Sequence, residues 1–246
     1  LTAVNPRLSA SVAVAPAVSL RGSVYGGFRA PTLNELYRGF RTGNTQVNPN
    51  EALAPERLTG TDGGVVFTHG SLSARATAFW NRLDDVITNV TLSRTPALIT
   101  QQRQNADRVR AAGLELEGSW QRGGLATTAT ATLVSSRFKG NTSVRDNRVP
   151  QVPGTQFGLD VRYARAGWTA SGQFRITGRQ FEDDLNLLEL RPARVVDIMA
   201  TRALSRTVNV FVGVENLLDA TYDVGRTPIL TVGLPRSARA GARLAW

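Results

Sequence analysis

The last stretch of this chain alternates between apolar and polar residues with a period of two. From Leu234 to Trp246 it reads LPRSARAGARLAW, and from Ala238 onward every second residue is alanine, leucine or tryptophan. In a β-strand, successive side chains point to opposite faces, so this pattern gives the strand one apolar and one polar face. A chain made of such strands forms sheets in which one face contacts an apolar environment and the other a polar one.

The same alternation recurs along the rest of the chain. Clear runs begin at Val18, Leu72, Ala112, Trp168 and Val208. Weaker runs occupy roughly residues 5–14, 56–68, 125–138, 155–165 and 193–204. With residues 234–246 these runs predict about eleven strands. Many approach the ~10 residues with which a tilted strand crosses a bilayer, whereas no apolar run is long enough for a transmembrane helix.

Short and long connections alternate strictly between these runs. Turns of two or three residues follow Val14, Thr68, Gln121, Arg165 and Leu204. The long connections cover about 30–55, 93–107, 139–153, 181–191 and 219–233. This alternation is typical of outer-membrane barrels, which have short periplasmic turns and longer extracellular loops, and not of a Greek-key sandwich. We therefore predict an all-β fold, an antiparallel up-and-down transmembrane β-barrel.

The aromatic residues fit the same orientation. Trp120, Tyr163 and Trp168 lie beside short turns. Phe28, Trp80 and Phe138 lie toward the opposite strand ends. Two such groups predict the aromatic belts that mark the two interfaces of a membrane barrel.

Composition excludes several kinds of chemistry. The chain has no cysteine and a single histidine, His69, which excludes disulfides and thiol chemistry and leaves little room for histidine-based catalysis or metal binding. We expect no enzyme, no cofactor and no metal site. The net charge of +10 comes almost wholly from arginine, and Lys139 is the only lysine. These arginines are dispersed, which favours a polar lumen or loops near anionic lipid over a nucleic-acid patch.

Five motifs resemble those of TonB-dependent receptors of the Gram-negative outer membrane. The segment from Phe28 to Tyr37, FRAPTLNELY, resembles the family's FRAPT-x-x-E-L-Y sequence, and further segments follow in family order. The matching positions are Phe28, Arg29, Pro31, Glu35, Asn48, Pro49, Glu56, Gly113, Glu115, Asn216, Asp219 and Trp246.

The resemblance implies a 22-stranded barrel filled by an N-terminal plug. Residues 1–246 then correspond to the C-terminal half of the barrel, without the plug through which the TonB complex acts. We expect a segment of a longer protein, because eleven strands leave two edges whose unpaired backbone groups are costly in lipid. The final strand resembles the signal read by the barrel-assembly machinery. Outer-membrane lipid and lipopolysaccharide are the other expected partners.

The family also implies uptake of a scarce nutrient, such as a ferric siderophore or cobalamin. Tyr37, Arg38 and Arg41, in the longest predicted loop, are candidates to contact it, since arginine forms charge-assisted hydrogen bonds with anionic chelates. The alternative is that these arginines are solvated or contact lipopolysaccharide phosphate. Two other functions stay open: a small passive porin or structural barrel, which predicts an even strand number, and a soluble basic β-protein that binds nucleic acid.

Two groups of acidic residues are further candidates, one for ion pairing and one for binding a metal ion. Glu115 and Glu117 are expected to face the lumen, where Arg110 is a potential partner. Residues 182–184, Glu-Asp-Asp, form an acidic run in a predicted loop. It offers Ca²⁺ ligands, but a solvated acidic loop is the simpler interpretation.

Overall fold

One antiparallel sheet of eleven strands dominates the computed structural model, which describes residues 4–141 and 143–244. Its strands are β1 (Arg7–Ala15), β2 (Val18–Arg29), β5 (Glu56–His69), β6 (Leu72–Asp84), β9 (Arg108–Arg122), β10 (Leu125–Lys139), β11 (Thr155–Arg165), β12 (Trp168–Thr177), β15 (Ala193–Ala203), β16 (Val208–Glu215) and β19 (Ser237–Leu244). The predicted strand number and up-and-down order are confirmed. The expectation for Trp246 falls outside the described residues.

The long connections contain secondary structure that the sequence patterns did not predict. These elements are α1 (Leu33–Tyr37), β3 (Phe40–Thr42), β4 (Thr45–Asn48), β7 (Ile87–Arg94), β8 (Ile99–Asn105), β13 (Gln180–Phe181), β14 (Glu189–Leu190), β17 (Asp223–Gly225) and β18 (Thr231–Val232). The second connection starts at residue 85, earlier than expected, because the hairpin of β7 and β8 belongs to it. No helix in the described residues is long and apolar enough to span a bilayer.

The strand register gives the sheet one apolar and one polar face. Directly opposed residues share a face, so the pairing extends each face across neighbouring strands. The apolar face carries exposed large side chains along its whole width, among them Val12, Leu20, Val65, Leu72, Trp80, Leu116, Trp120, Leu133, Val161, Tyr163, Trp168, Ile198 and Val212. Such a broad exposed apolar surface is what a lipid-facing wall requires.

The polar face is held together by side-chain hydrogen bonds and ion pairs that cross strands. Ser23 donates to Asp62, and Arg21 donates to Thr77 Oγ1 over 2.7 Å. On the other half of the sheet, Arg175 pairs with Asp197 at 2.6 Å. This network accounts for the polar half of the alternating pattern.

The buried core lies at one end of the sheet. The strand ends joined by long connections are here called the loop ends, and those joined by short turns the turn ends. Ala106, Val109, Phe138 and Val144 form a buried cluster beneath the loops. Phe138 is fully buried on the polar face, so its prediction as a member of an aromatic belt is wrong. Trp80, Trp120, Tyr163 and Trp168 are exposed on the apolar face, as expected.

Strands β1 and β19 are the two edges of the eleven-stranded sheet. Each pairs with a single neighbour, β1 with β2 and β19 with β16. Within the described residues, the sheet is therefore an open wall with two unpaired edges.

Tyr25 illustrates why one strand position has to be glycine. Its ring lies over Gly60, and its hydroxyl donates to Asn81 Oδ1 at 2.9 Å on the next strand. A Cβ at Gly60 would lie 2.3 Å from the Tyr25 ring and equally close to the Asn81 oxygen.

We predict that Gly60→Ala displaces the Tyr25 ring, breaks this bond and destabilises the protein by about 1–3 kcal/mol, as overpacking does. Thermal unfolding of the full-length protein in detergent micelles measures the loss. Gly118→Ala is the matched control, because a Cβ there meets nothing within 4 Å. Equal midpoints for the two variants would contradict the prediction.

Candidate functional site

The five long connections leave the sheet at its loop ends and contact one another there. We call them together the outer loop layer. Its described residues are 30–55, 85–107, 140–141, 143–154, 178–192 and 216–236. All three candidate ligand-contacting residues and most of the motif residues lie in this layer or at the strand ends beneath it.

Arg29, at the end of β2, joins the first loop to the sheet. Its guanidinium donates to Glu35 at 2.9 and 3.1 Å and also binds Glu56. Glu35 forms a capping box with Thr32, which satisfies free N–H groups at the start of α1. Desolvation raises the pKa of Glu35, but the hydrogen bonds from Thr32 and Arg29 outweigh it and hold that pKa below its usual value. The other Glu56 oxygen accepts the Ile87 N–H at 2.8 Å.

The first and second loops share a small sheet. Strand β4 pairs in parallel with β8, in a four-stranded sheet of order β3-β4-β8-β7. Asn105 accepts the Ala54 N–H at 2.9 Å and donates to the Ala54 carbonyl at 3.0 Å. Asn50 donates to the Arg103 carbonyl at 3.0 Å. Asn50 and Asn105 thus link the first loop to the second.

Two of the three residues of the acidic run in the fourth loop, Asp183 and Asp184, are buried, so its prediction as a solvated loop is wrong. Asp184 is 1% exposed and accepts the Thr91 N–H at 3.0 Å and the Thr91 hydroxyl at 2.6 Å. Asp183 accepts two backbone N–H groups of its own loop, and Arg94 lies 3.5 Å from its second oxygen. Among the described residues, no cluster of His, Cys, Asp or Glu is placed to hold a metal ion.

The Asn216 and Asp219 motif closes the fifth loop. Asn216 is buried with a positive φ of 50°, a backbone conformation that asparagine tolerates. Its side chain accepts the Ala220 N–H at 2.9 Å and donates to the Leu234 carbonyl at 3.0 Å. Asp219 accepts the Arg236 N–H at 2.9 Å. These bonds bring the two ends of the loop together above β16 and β19.

Arg191 and Asp223 connect the fourth loop to the fifth. The guanidinium donates to one Asp223 oxygen at 2.6 and 2.9 Å, and the Arg191 N–H donates to the other at 3.1 Å. The side-chain hydrogen bond with Arg191 holds the pKa of Asp223 below its usual value. Sequence patterns did not reveal this pair or Asp184, because the partners are far apart in sequence.

Tyr37, Arg38 and Arg41 are exposed on the first loop. Tyr37 is 61% exposed at the end of α1, and the Arg38 N–H caps that helix by donating to the Asn34 carbonyl at 3.1 Å. Arg41 lies in β3, and its Nε donates to the Gly43 carbonyl at 3.1 Å. Neither arginine takes part in an ion pair within the described part of the chain.

The polar face forms two open recesses beneath this layer. The larger, about 760 Å³, is lined by Asp160, Arg175, Asp197, Glu215 and Arg239, among others. The second, about 610 Å³, includes Glu115 in its lining. Glu115 thus lies on the predicted face.

The predicted partnership of Arg110 with Glu115 and Glu117 is wrong. Arg110 is an even-numbered position of β9 and lies on the opposite face, because side chains alternate along the strand. Instead, Arg75 of β6 lies opposite Glu117, with a separation of 3.8 Å between the charged atoms.

Residues 1–217 match a protein family described as TonB dependent receptor-like, beta-barrel. The chain belongs to the TonB-dependent receptor family. It is therefore an integral outer-membrane protein of a Gram-negative bacterium, from a family of transporters and not of enzymes. The loop ends of the wall are extracellular and its polar face lines the lumen.

Solved structures confirm the fold at low sequence identity. The copper transporter OprC matches 98% of this chain with a TM-score of 0.77 and 18% identity. The ferric yersiniabactin uptake receptor FyuA of Yersinia pestis matches 97% with a TM-score of 0.74 and 20% identity. A variant of the ferric enterobactin receptor PfeA of Pseudomonas aeruginosa matches 98% with a TM-score of 0.73 and 18% identity. The chain covers 39%, 36% and 40% of these proteins, respectively.

We predict that Glu56→Ala loosens the first two loops together, because it removes the acceptor shared by Arg29 and the Ile87 N–H. Losing a partly buried acceptor of this kind costs about 1–3 kcal/mol. Hydrogen exchange in the full-length receptor should show faster exchange at residues 33–50 and 87–105. Glu51→Ala removes an exposed carboxylate of the same loop and serves as the control. Unchanged hydrogen exchange in Glu56→Ala would contradict the role of Glu56 in linking the first loop to the second.

We predict that acid separates the fourth and fifth loops. The depressed pKa of Asp223 means that its contribution to stability is complete above the ordinary aspartate pKa of about 4 and is lost as the pH falls through the lower folded value. This chain has no cysteine, so spin labels at exposed Leu187 and Ile229 report the distance between the loops. The distance distribution should broaden below about pH 4. In Asp223→Asn it should be broad at every pH, and an acid transition retained there would refute the assignment.

Proposed function

We propose that this chain forms about half of the barrel wall of a receptor that imports a scarce nutrient, of the ferric siderophore or cobalamin class. In this proposal residues 1–246 are the C-terminal half of a 22-stranded barrel, and the plug belongs to another part of the protein. The eleven strands and the coverage of 36–40% of the solved receptors support this.

The two sheet edges support pairing with a second half. Each edge strand presents unpaired backbone N–H and carbonyl groups, and in hydrocarbon every such group costs several kcal/mol. Pairing β1 and β19 with the missing strands satisfies these groups and closes the barrel. The same edges weigh against the alternative of a small complete porin, and family membership weighs against a soluble protein that binds nucleic acid.

The observation that carries the substrate class is the exposure of Arg38 and Arg41 on a rigid support. Their loop is fixed by the Arg29 contacts and by the sheet shared with the second loop. The backbone that carries the two exposed guanidinium groups therefore loses little conformational entropy when a ligand binds. Tyr37 beside them offers an aromatic surface. Such a set suits an anionic chelate, which guanidinium groups bind by charge-assisted hydrogen bonds. Two of the solved relatives are named for ferric siderophores.

Transport itself is assigned to parts beyond this wall. In the proposal, the TonB complex acts on the plug, and the polar face supplies the ion-paired surface against which the plug packs. The last strand serves as the contact for the barrel-assembly machinery. The wall then contributes ligand capture and containment, and the energised step lies elsewhere.

We predict that replacing both Arg38 and Arg41 with alanine weakens binding of an anionic ferric siderophore at least ~tenfold, since each lost charge-assisted bond contributes about 1.5–3 kcal/mol. Titration of the full-length receptor with ferric enterobactin and ferric yersiniabactin measures this, with cyanocobalamin as the neutral comparison. Arg206→Ala is the matched control, because Arg206 is an exposed arginine in a short turn on the periplasmic side.

Tight cyanocobalamin binding that is insensitive to both arginines would move the receptor to the cobalamin class. Siderophore binding equally weakened by Arg206→Ala would remove Arg38 and Arg41 from the ligand site. Binding of none of the three compounds by the wild-type receptor would refute the proposed substrate class.

A further inference from the structure

Six basic side chains gather on the apolar face, at the extracellular ends of β5, β6, β9 and β10. The register places them in two adjacent rows, each crossing the four strands. The first row contains Arg57, Asp84, Arg108 and Lys139, and the second contains Thr59, Arg82, Arg110 and Arg137. We call the six cations, Arg57, Arg82, Arg108, Arg110, Arg137 and Lys139, the outer basic cluster.

The protein itself compensates the charge of the cluster only in part. Asp84 is the one carboxylate in the two rows, and it pairs with Arg82 at 2.8 Å and Arg108 at 2.7 Å. Lys139 pairs with Asp146 of the third loop, and Arg137 donates to the Asp146 carbonyl at 2.6 Å. Arg110 lies directly between Arg82 and Arg137 in its row. Like charges directly opposite one another destabilise a sheet, so the position of Arg110 between two other arginines is unfavourable for the fold.

The cluster lies at the level of the lipid headgroups. The next row toward the membrane contains Trp80, which is 39% exposed, and beyond it the face is apolar as far as Leu72 and Trp120. At ~3.4 Å per residue and a tilt of ~45°, residues 72–80 cover roughly 20 Å of height, close to the apolar band of a barrel. Interfacial tryptophan marks the edge of the hydrocarbon, so the cations lie just outside it.

The cations are confined to one sector of the wall. On the other strands, the outermost positions of the apolar face carry no cation except Arg194; they are Leu8, Phe28, Thr155, Ile176, Val214 and Ala238. A belt that serves general solubility would extend around the wall. This sector instead has the form of a local binding surface.

A recess lies within the sector. It has a volume of about 320 Å³ and is lined by Arg108, Arg110, Lys139, Gly140, Asn141 and Arg145. Asp107 fixes the loop at its rim by accepting the Asn141 N–H at 2.8 Å. A Cβ at Gly140 would lie 2.1 Å from the Asp107 carboxylate, so this close turn requires glycine. The recess is therefore a defined part of the fold.

We propose that the outer basic cluster binds the phosphate groups of a glycolipid of the outer leaflet, the lipid A part of lipopolysaccharide. Guanidinium groups match phosphate in geometry and charge, and the lipid's acyl chains lie along the apolar face below. A phosphate there offsets the repulsion among the cations. The inference rests on the outer-membrane location of the wall and is independent of the transported ligand.

The test compares two triple variants of the full-length receptor in detergent. The first, Arg57→Gln with Arg110→Gln and Arg137→Gln, leaves the Asp84 ion pairs intact. The control, Arg122→Gln with Arg165→Gln and Arg194→Gln, removes the same charge from exposed positions of the apolar face outside the cluster. Native mass spectrometry with added bisphosphorylated lipid A should show binding at least ~tenfold weaker in the first variant, since each cation near a membrane surface contributes roughly fivefold. The control should bind like the wild type.

Three further arms make the result decisive. Dephosphorylated lipid A should bind wild type as weakly as lipid A binds the first variant. Replacement of the same three arginines by lysine should retain most of the binding, which guards against a folding defect in the glutamine variant. Inorganic phosphate at millimolar concentration should not displace lipid A. Equal loss in both glutamine variants, indifference to lipid phosphate, or displacement by free phosphate would each overturn the proposal.

Discussion

Backbone pairing between two chemically different faces is the constraint on which the rest of this wall depends. In hydrocarbon no water is available to the peptide groups, so each strand has to pair with neighbours on both sides. The alternating side chains then decide which face meets lipid, and a slip of one residue would exchange the faces completely. Register is thereby strongly specified, and with it the gathering of all five long connections at one end.

Most of the family motif residues stabilise the loops at that end of the sheet. Arg29, Glu35 and Glu56 join the first loop to the sheet and to the second loop, and Asn105 reinforces the same junction. Asn216 closes the last loop, because its side chain bonds backbone groups near the start and near the end of that loop. Motifs with this role build the loop scaffold, and in the proposed function the exposed positions between them contact the ligand.

Three of the environments that arginine occupies in this wall are distinguished only by the structure. On the polar face it pairs with carboxylates, as Arg175 does with Asp197. On the extracellular loops it is exposed, as at Arg38 and Arg41. At the loop ends of β5, β6, β9 and β10 it forms the outer basic cluster against the membrane. The net charge of +10 therefore combines arginines that have different neighbours.

The sequence by itself determined the strand number, the direction of each strand and the face of nearly every strand residue, because period-two alternation and turn length are local properties. It placed Glu115 on the polar face for the same reason. Only the tertiary structure decided that Phe138 is buried, that Asp184 binds Thr91, and that Arg110 stands beside other cations. Those outcomes depend on which loops meet and on lateral register across several strands. Both are set by contacts between residues far apart in the chain, which a local pattern does not encode.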